Sequence, residues 1–138
     1  MPGSYLIDVP RGIVFTRGSG VLTDEQIAAH AEALRGDARF DPGFRQIVDF
    51  RELTDIRVTG AGVRNVARQN PFRRDARRAF VVNSEEAFGL TRMFASYTDS
   101  SGDRFAIFRA LEPALEWIGL EPTTPWPAQP PDATFGVP

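Results

Sequence analysis

From Ile13 onward the chain repeats one pattern four times: a short β-branched or aromatic run, a polar turn, then a stretch with apolar residues at helical spacing. The runs are Ile13–Gly20, Phe44–Phe50, Ala79–Val82 and Phe105–Phe108; a further run, Tyr5–Val9, precedes them across the turn Pro10-Arg11-Gly12. Such alternation implies parallel strands joined by right-handed crossovers. The short Pro10–Gly12 connection favours an antiparallel hairpin at one edge instead. The expectation is an α/β domain with about five strands in a mixed, mostly parallel sheet and four helices, ordered β-β-α-β-α-β-α-β-α.

The helix ends carry chemical signals. Thr23 with Gln26 three residues later is a capping-box pattern, and Asp24 and Glu25 suit the positive end of a helix whose face holds Ile27, His30, Ala31 and Leu34 before Gly36 ends it. Thr59-Gly60-Ala61-Gly62 opens a second helix carrying Val63, Val66 and Ala67, and Asn70-Pro71 stops it. Two glycines at a helix start allow other groups close to the backbone, and its free N–H groups suit an anion or a partner's acceptor. Ser84 caps a third helix with Glu85 and Glu86 in its first turn and Ala87, Leu90, Phe94 and Tyr97 as its apolar positions. Pro113 sits in the first turn of a fourth, with Leu111, Ala114, Leu115 and Ile118 inward and Gly119 at its end. Arg73–Arg78 reads as exposed loop by its charge and Ser100–Asp103 as a turn. Ala79–Val82 and Phe105–Phe108 are apolar without alternation, the mark of strands buried on both faces.

From Glu121 the chain changes character, since six of its eleven prolines lie in residues 121–138. The reading is one domain over 1–120 and a proline-rich tail over 121–138. Trp126 and Phe135 suit docking of that tail on its own domain or on a second copy, so a homodimer is one expected assembly; the last few residues are expected to be loose.

Composition excludes more than it selects. There is no Cys and no Lys, all sixteen basic residues are Arg, and His30 is the single histidine. Thiolate chemistry, a lysine Schiff base and a P-loop lysine are therefore absent, and neither a metal nor a cofactor is expected. A net charge of −2 offers nucleic acid no general attraction. No run of 18 apolar residues suggests a membrane span, and the N-terminus lacks signal-peptide regions, so the expected location is cytoplasmic.

The stretch from Val48 to Gly62 resembles STAS domains, the SpoIIAA-like fold of bacterial anti-sigma factor antagonists. In that family a strand leads through a bend to Asp-Ser-Ser-Gly-Leu-Gly, and the second serine caps helix two and is phosphorylated by a partner kinase. The matching residues here are Arg57-Val58-Thr59-Gly60-Ala61-Gly62. Thr59 falls on the phosphoacceptor and Gly60 and Gly62 on the glycines, while Arg57 and Val58 replace the aspartate and first serine. The resemblance covers residues 4–120 as topology, and the stretch 108–119 is similar to uncharacterised bacterial proteins of the same superfamily. It implies a non-catalytic interaction domain in bacterial regulation, whose partner is a protein such as a regulatory kinase or sigma-regulatory protein. The implied surface is the start of helix two, with Arg57, Gly60, Gly62, Arg64 and Arg68 around Thr59. Lipid-transfer proteins of the same overall fold imply the alternative, a small-molecule or lipid-binding domain with an apolar pocket under helices three and four.

Each candidate also has a plainer reading. Thr59 serves as an N-cap without any phosphate. Arg64, Arg68, Arg73, Arg74, Arg77 and Arg78 suit an anion, but without a nucleic-acid motif they read first as solvated surface. His30 reads as a half-buried, hydrogen-bonded histidine, because a general base also needs a nucleophile and an orienting carboxylate. Phe88, Met93, Phe94, Tyr97 and Trp117 line a pocket or simply fill a core. An internal cavity favours the ligand reading, a solid core with an exposed Thr59 favours the interaction reading, and His30 among carboxylates in a cleft favours an enzyme.

Overall fold

The computed structural model describes residues 3–98 and 104–127 and the backbone of Ala133–Phe135. The elements are β1 (Gly3–Asp8), β2 (Ile13–Thr23), α1 (Asp24–Arg35), β3 (Arg45–Arg57), α2 (Gly60–Arg68), β4 (Arg78–Val81), α3 (Glu85–Tyr97), β5 (Phe105–Phe108), α4 (Leu111–Trp117) and β6 (Ala133–Phe135). They form one sheet in the order β5-β4-β3-β2-β1-β6. β1 runs antiparallel to β2, while β2 through β5 are mutually parallel neighbours. The five expected strands and four helices are all present in the expected order. The tail adds a sixth strand, antiparallel to β1 with Gly3 opposite Phe135.

The caps act as their chemistry requires. Thr23 and Gln26 exchange both bonds of the capping box, at 3.3 and 3.1 Å. Ser84 accepts from the Ala87 N–H at 3.1 Å. Gly119 ends α4 at φ 96°, a left-handed conformation that glycine adopts without a Cβ penalty.

Strand alternation sorts the core into two faces. Ile13, Phe15, Ile47, Ala79 and Val81 meet Ala114, Leu115 and Ile118 of α4. The intervening residues face α1, α2 and α3: Tyr5, Ile7 and Val14 pack with Leu34 and Phe72 in one cluster, and Val48, Phe80 and Phe105 form another with Phe94 against it. The α4 face also receives the tail. Trp126 packs edge-on against Phe15 at 5.4 Å, and the Arg17 guanidinium lies 4.5 Å over its ring. Arg17 reaches the buried Asp49 carboxylate at 3.3 Å, and Arg51 binds it at 2.9 Å. Burial alone would raise the Asp49 pKa, but the hydrogen bonds and charge of Arg51, aided by Arg17, hold it below the usual carboxylate range.

Several expectations are corrected. β2 runs on to Thr23 and β3 to Arg57, so the polar stretch after Phe50 is strand rather than bend. Its pairing continues through Gly20 with Leu53 and Leu22 with Ile56, across two register shifts at each of which β3 carries one extra residue. β5 is not buried on both faces: it lies at the sheet edge, and only Phe105 is buried. Tyr97 at the end of α3 is exposed, with the Arg64 guanidinium 5.9 Å from its ring. Arg73–Arg78 is not wholly exposed loop, because Ala76 and Arg78 are buried and Arg78 begins β4. The Ser100–Asp103 turn and the last three residues lie outside the described residues.

Candidate functional site

On the face covered by α1, α2 and α3 the helices do not close fully on the sheet. A cavity of about 110 Å³ remains, bordered by Leu34 and Phe72 from one cluster and Val48 and Phe80 from the other. The extension of β3 supplies one wall through Phe50, Leu53 and Ile56, and the helices add Ile27, Val63, Val66, Leu90 and Phe94. The cavity therefore depends on the very stretch of β3 whose polar residues disguise it as a bend.

Besides Thr91, whose hydroxyl donates to Ala87 O within α3, the polar groups in this lining form one connected set. Thr16, His30, Gln46, Asn70 and Arg78 all border the cavity. Arg78 donates from Nε to Gln46 Oε1 at 3.0 Å and from Nη1 to Asn70 Oδ1 at 3.0 Å. Gln46 in turn donates from Nε2 to Thr16 Oγ1 at 3.1 Å, and that hydroxyl lies 3.1 Å from His30 Nε2. Sheet register builds the chain: Gln46 and Arg78 are direct partners on β3 and β4, while Thr16 lies opposite Val48 on β2 and β3.

Arg78 is 6% exposed, and no carboxylate among the described residues forms an ion pair with it. Its charge is held instead by aromatic faces, with guanidinium-to-centroid distances of 4.4 Å for Phe72 and 5.0 Å for Phe94. Burial lowers its pKa to about 9, which leaves it protonated at neutral pH. His30 stands edge-on to Tyr5 at 5.6 Å. Burial, and then the Arg78 charge, lowers its pKa to about 3, so the imidazole is neutral.

The residues singled out around helix two take a different place. Thr59 caps α2: its hydroxyl accepts from Gly62 N–H at 3.0 Å and donates to Asp24 Oδ2 at 2.7 Å, while its own N–H reaches Asp24 Oδ1 at 2.9 Å. A Cβ on Gly62 would collide with the Asp24 carboxylate, whereas one on Gly60 would meet open space. Arg57 pairs with Asp55 at 2.8 Å, and Arg64 and Arg68 are exposed along the helix.

The basic cluster does not form one patch. Arg73 pairs with Asp75, Arg77 lies 5.2 Å over the Trp117 ring, and Arg78 turns inward. Of the five side chains considered for a pocket, only Phe94 borders the cavity. Trp117 belongs to α4 on the opposite face, so the pocket lies under α1–α3 rather than under helices three and four. Sequence reasoning missed Thr16, Gln46 and Asn70 as polar lining, and it read Arg78 first as solvated surface within the basic cluster, whereas Arg78 is buried beside the cavity. One signal was present: starting β4 one residue earlier places Arg78 on the same face as Phe80. Among the described residues, no group of three or more His, Asp or Glu is placed to hold a metal, and no helix is long and apolar enough to cross a membrane.

The element order and sheet order define a SpoIIAA-like α/β fold. No family model and no curated protein matches the chain. A solved structure does: an uncharacterised DUF3478-family protein with a SpoIIAA-like fold from Shewanella loihica PV-4, with a TM-score of 0.51 and 20% identity over 77% of this chain and 83% of that one.

Proposed function

We propose that this domain is a non-catalytic binding module that holds a small, largely apolar molecule in the cavity under α1–α3. The observation that carries the reading is the apolar cavity itself, at about 110 Å³. An apolar cavity of about 150 Å³ accepts benzene, so this space is on the scale of a ring or a short chain. The non-catalytic part is supported by His30: with a pKa of about 3 it is poorly matched to general-base work near neutral pH. Methyl NMR of the protein titrated with benzene tests the reading. Shifts at the methyls lining the cavity, those of Val48, Leu53, Ile56, Val63 and Leu90 among them, are expected, and their absence overturns it.

A second reading is supported by the exposed start of α2, where Gly60 has open space above it and Arg64 and Arg68 face solvent. It is a protein-interaction surface in bacterial regulation, with a kinase or sigma-regulatory protein as the partner class and a cytoplasmic setting. Reversing both charges, Arg64→Glu with Arg68→Glu, should abolish binding to such a partner. Unchanged binding by the double variant removes this reading.

A further inference from the structure

We propose that the molecule held in the cavity is an anion: a small carboxylic acid whose carboxylate docks on Arg78 while its apolar body fills the space between sheet and helices. The inference rests on the cavity being a ligand site and adds the chemical class of the ligand.

The argument begins with an imbalance of charge. Taking a guanidinium out of water costs several kcal/mol unless an opposite charge or a full set of acceptors replaces the solvent. Arg78 is buried, yet its two hydrogen-bond partners, Gln46 and Asn70, are both neutral amides. A guanidinium has five N–H donors in a rigid plane. Only Nε and Nη1 are used, and no acceptor among the described residues meets Nη2. The aromatic rings of Phe72 and Phe94 soften the burial but cannot accept in-plane N–H bonds. The site therefore keeps a positive charge and unused donors at the polar end of an apolar space.

A planar carboxylate matches these donors better than other anions. Its two oxygens take parallel N–H bonds from one guanidinium, and a single negative charge balances a single positive one. A phosphate dianion would bring excess charge, since the neighbouring His30 is neutral and the other polar groups at this end are Thr16, Gln46 and Asn70. The volume limits the body to about the size of a benzene ring or a short alkyl chain.

The test compares isosteric pairs: benzoate with benzamide, and hexanoate with hexanamide. Binding to the full chain is followed by NMR at the cavity methyls and at the Arg78 Nε–H. The expected result is that each acid binds at least tenfold more tightly than its amide and shifts the Arg78 Nε–H, and that Arg78→Met removes the preference. The comparison in the native protein needs no variant, so a poorly folded Arg78→Met would not rescue the idea. Amides that enter the cavity as tightly as the acids overturn this inference and leave the ligand site standing. Probes that never perturb the cavity methyls overturn both. Acids that shift only surface arginines also overturn it.

Discussion

The Arg78 Nε–H donates to Gln46 Oε1 at 3.0 Å across neighbouring parallel strands, where the two residues are direct register partners. This bond orients the Gln46 amide so that its nitrogen faces Thr16, which in turn meets His30. A buried charge at one end and a neutral imidazole at the other are thereby joined by groups with no charge of their own. Replacing Gln46 by Leu would leave Arg78 Nε–H without its acceptor and remove the donor to Thr16. An unsatisfied buried polar group costs roughly 1–3 kcal/mol, and more when charged. Urea unfolding at neutral pH should show at least that loss. Gln46→Glu instead supplies a carboxylate beside Arg78, and should abolish any preference for acids over amides. Retention of that preference would mean the acids bind elsewhere.

Stability should fall with acid in a window set by one residue. The folded His30 pKa of about 3 lies below its unfolded value near 6.5, so below pH 6.5 the unfolded chain binds more protons than the folded one. Stability contributed by the neutral imidazole is therefore lost as pH falls. Between pH 6.5 and 5, above the carboxylate range, the loss should be about 1.5–2 kcal/mol. The chain has one histidine, so His30→Gln should flatten this slope. Denaturant unfolding at several pH values checks it; an equal slope in the variant would place the titration elsewhere.

Thr59, Asp24 and Gly62 should behave as one unit. Thr59→Ser keeps the hydroxyl and should be nearly silent, whereas Thr59→Ala should cost about 1 kcal/mol. Thr59→Glu should cost more than Ala, because it brings a second carboxylate to Asp24, which Thr59 Oγ1 contacts at 2.7 Å. Gly62→Ala should destabilise because its Cβ would meet the Asp24 carboxylate, and Asp24→Ala should relieve that clash. Thermal unfolding of the singles and the double measures the coupling; simple additivity would contradict this geometry.

Truncation after Leu120 removes Trp126 from Phe15 and Arg17, together with β6 from the edge of β1. Full burial of an aromatic contributes roughly 1.5–3 kcal/mol, and Trp126 is partly buried, so the melting temperature should drop by less than that full amount implies while the mass by light scattering stays constant. Trp126→Ala should reproduce most of the drop. An unchanged melting temperature would show that the tail adds no stability, and a halved mass would show that it joins two copies.

Much of the architecture follows from local chemistry. Thr23, Thr59 and Ser84 all cap helices where their positions indicate, and Gly119 stops α4 in the left-handed conformation. These signals act within a few residues, through bonds between a side chain and its own next turn, so they are legible in order along the chain. Charge misled the reading where environment outweighed it. The extension of β3 looked like a bend because Arg51, Glu52 and Asp55 dominate it, yet Leu53 and Ile56 face the cavity.

By itself the sequence determined the alternation of strands and helices, the parallel strands with an antiparallel β1, and the capped start of α2, all of which depend on residue type and short spacing; that β6 rather than β1 forms the edge was decided by the fold. Only the tertiary structure decided that Arg78 leaves the basic cluster and turns inside. Its position depends on Gln46 lying 32 residues away on the neighbouring strand, and on Phe72 and Phe94 closing over its guanidinium. A lone arginine reads as surface in a linear sequence because burying a charge is costly; distant groups brought together by folding replace part of its hydration and hold it beside the cavity.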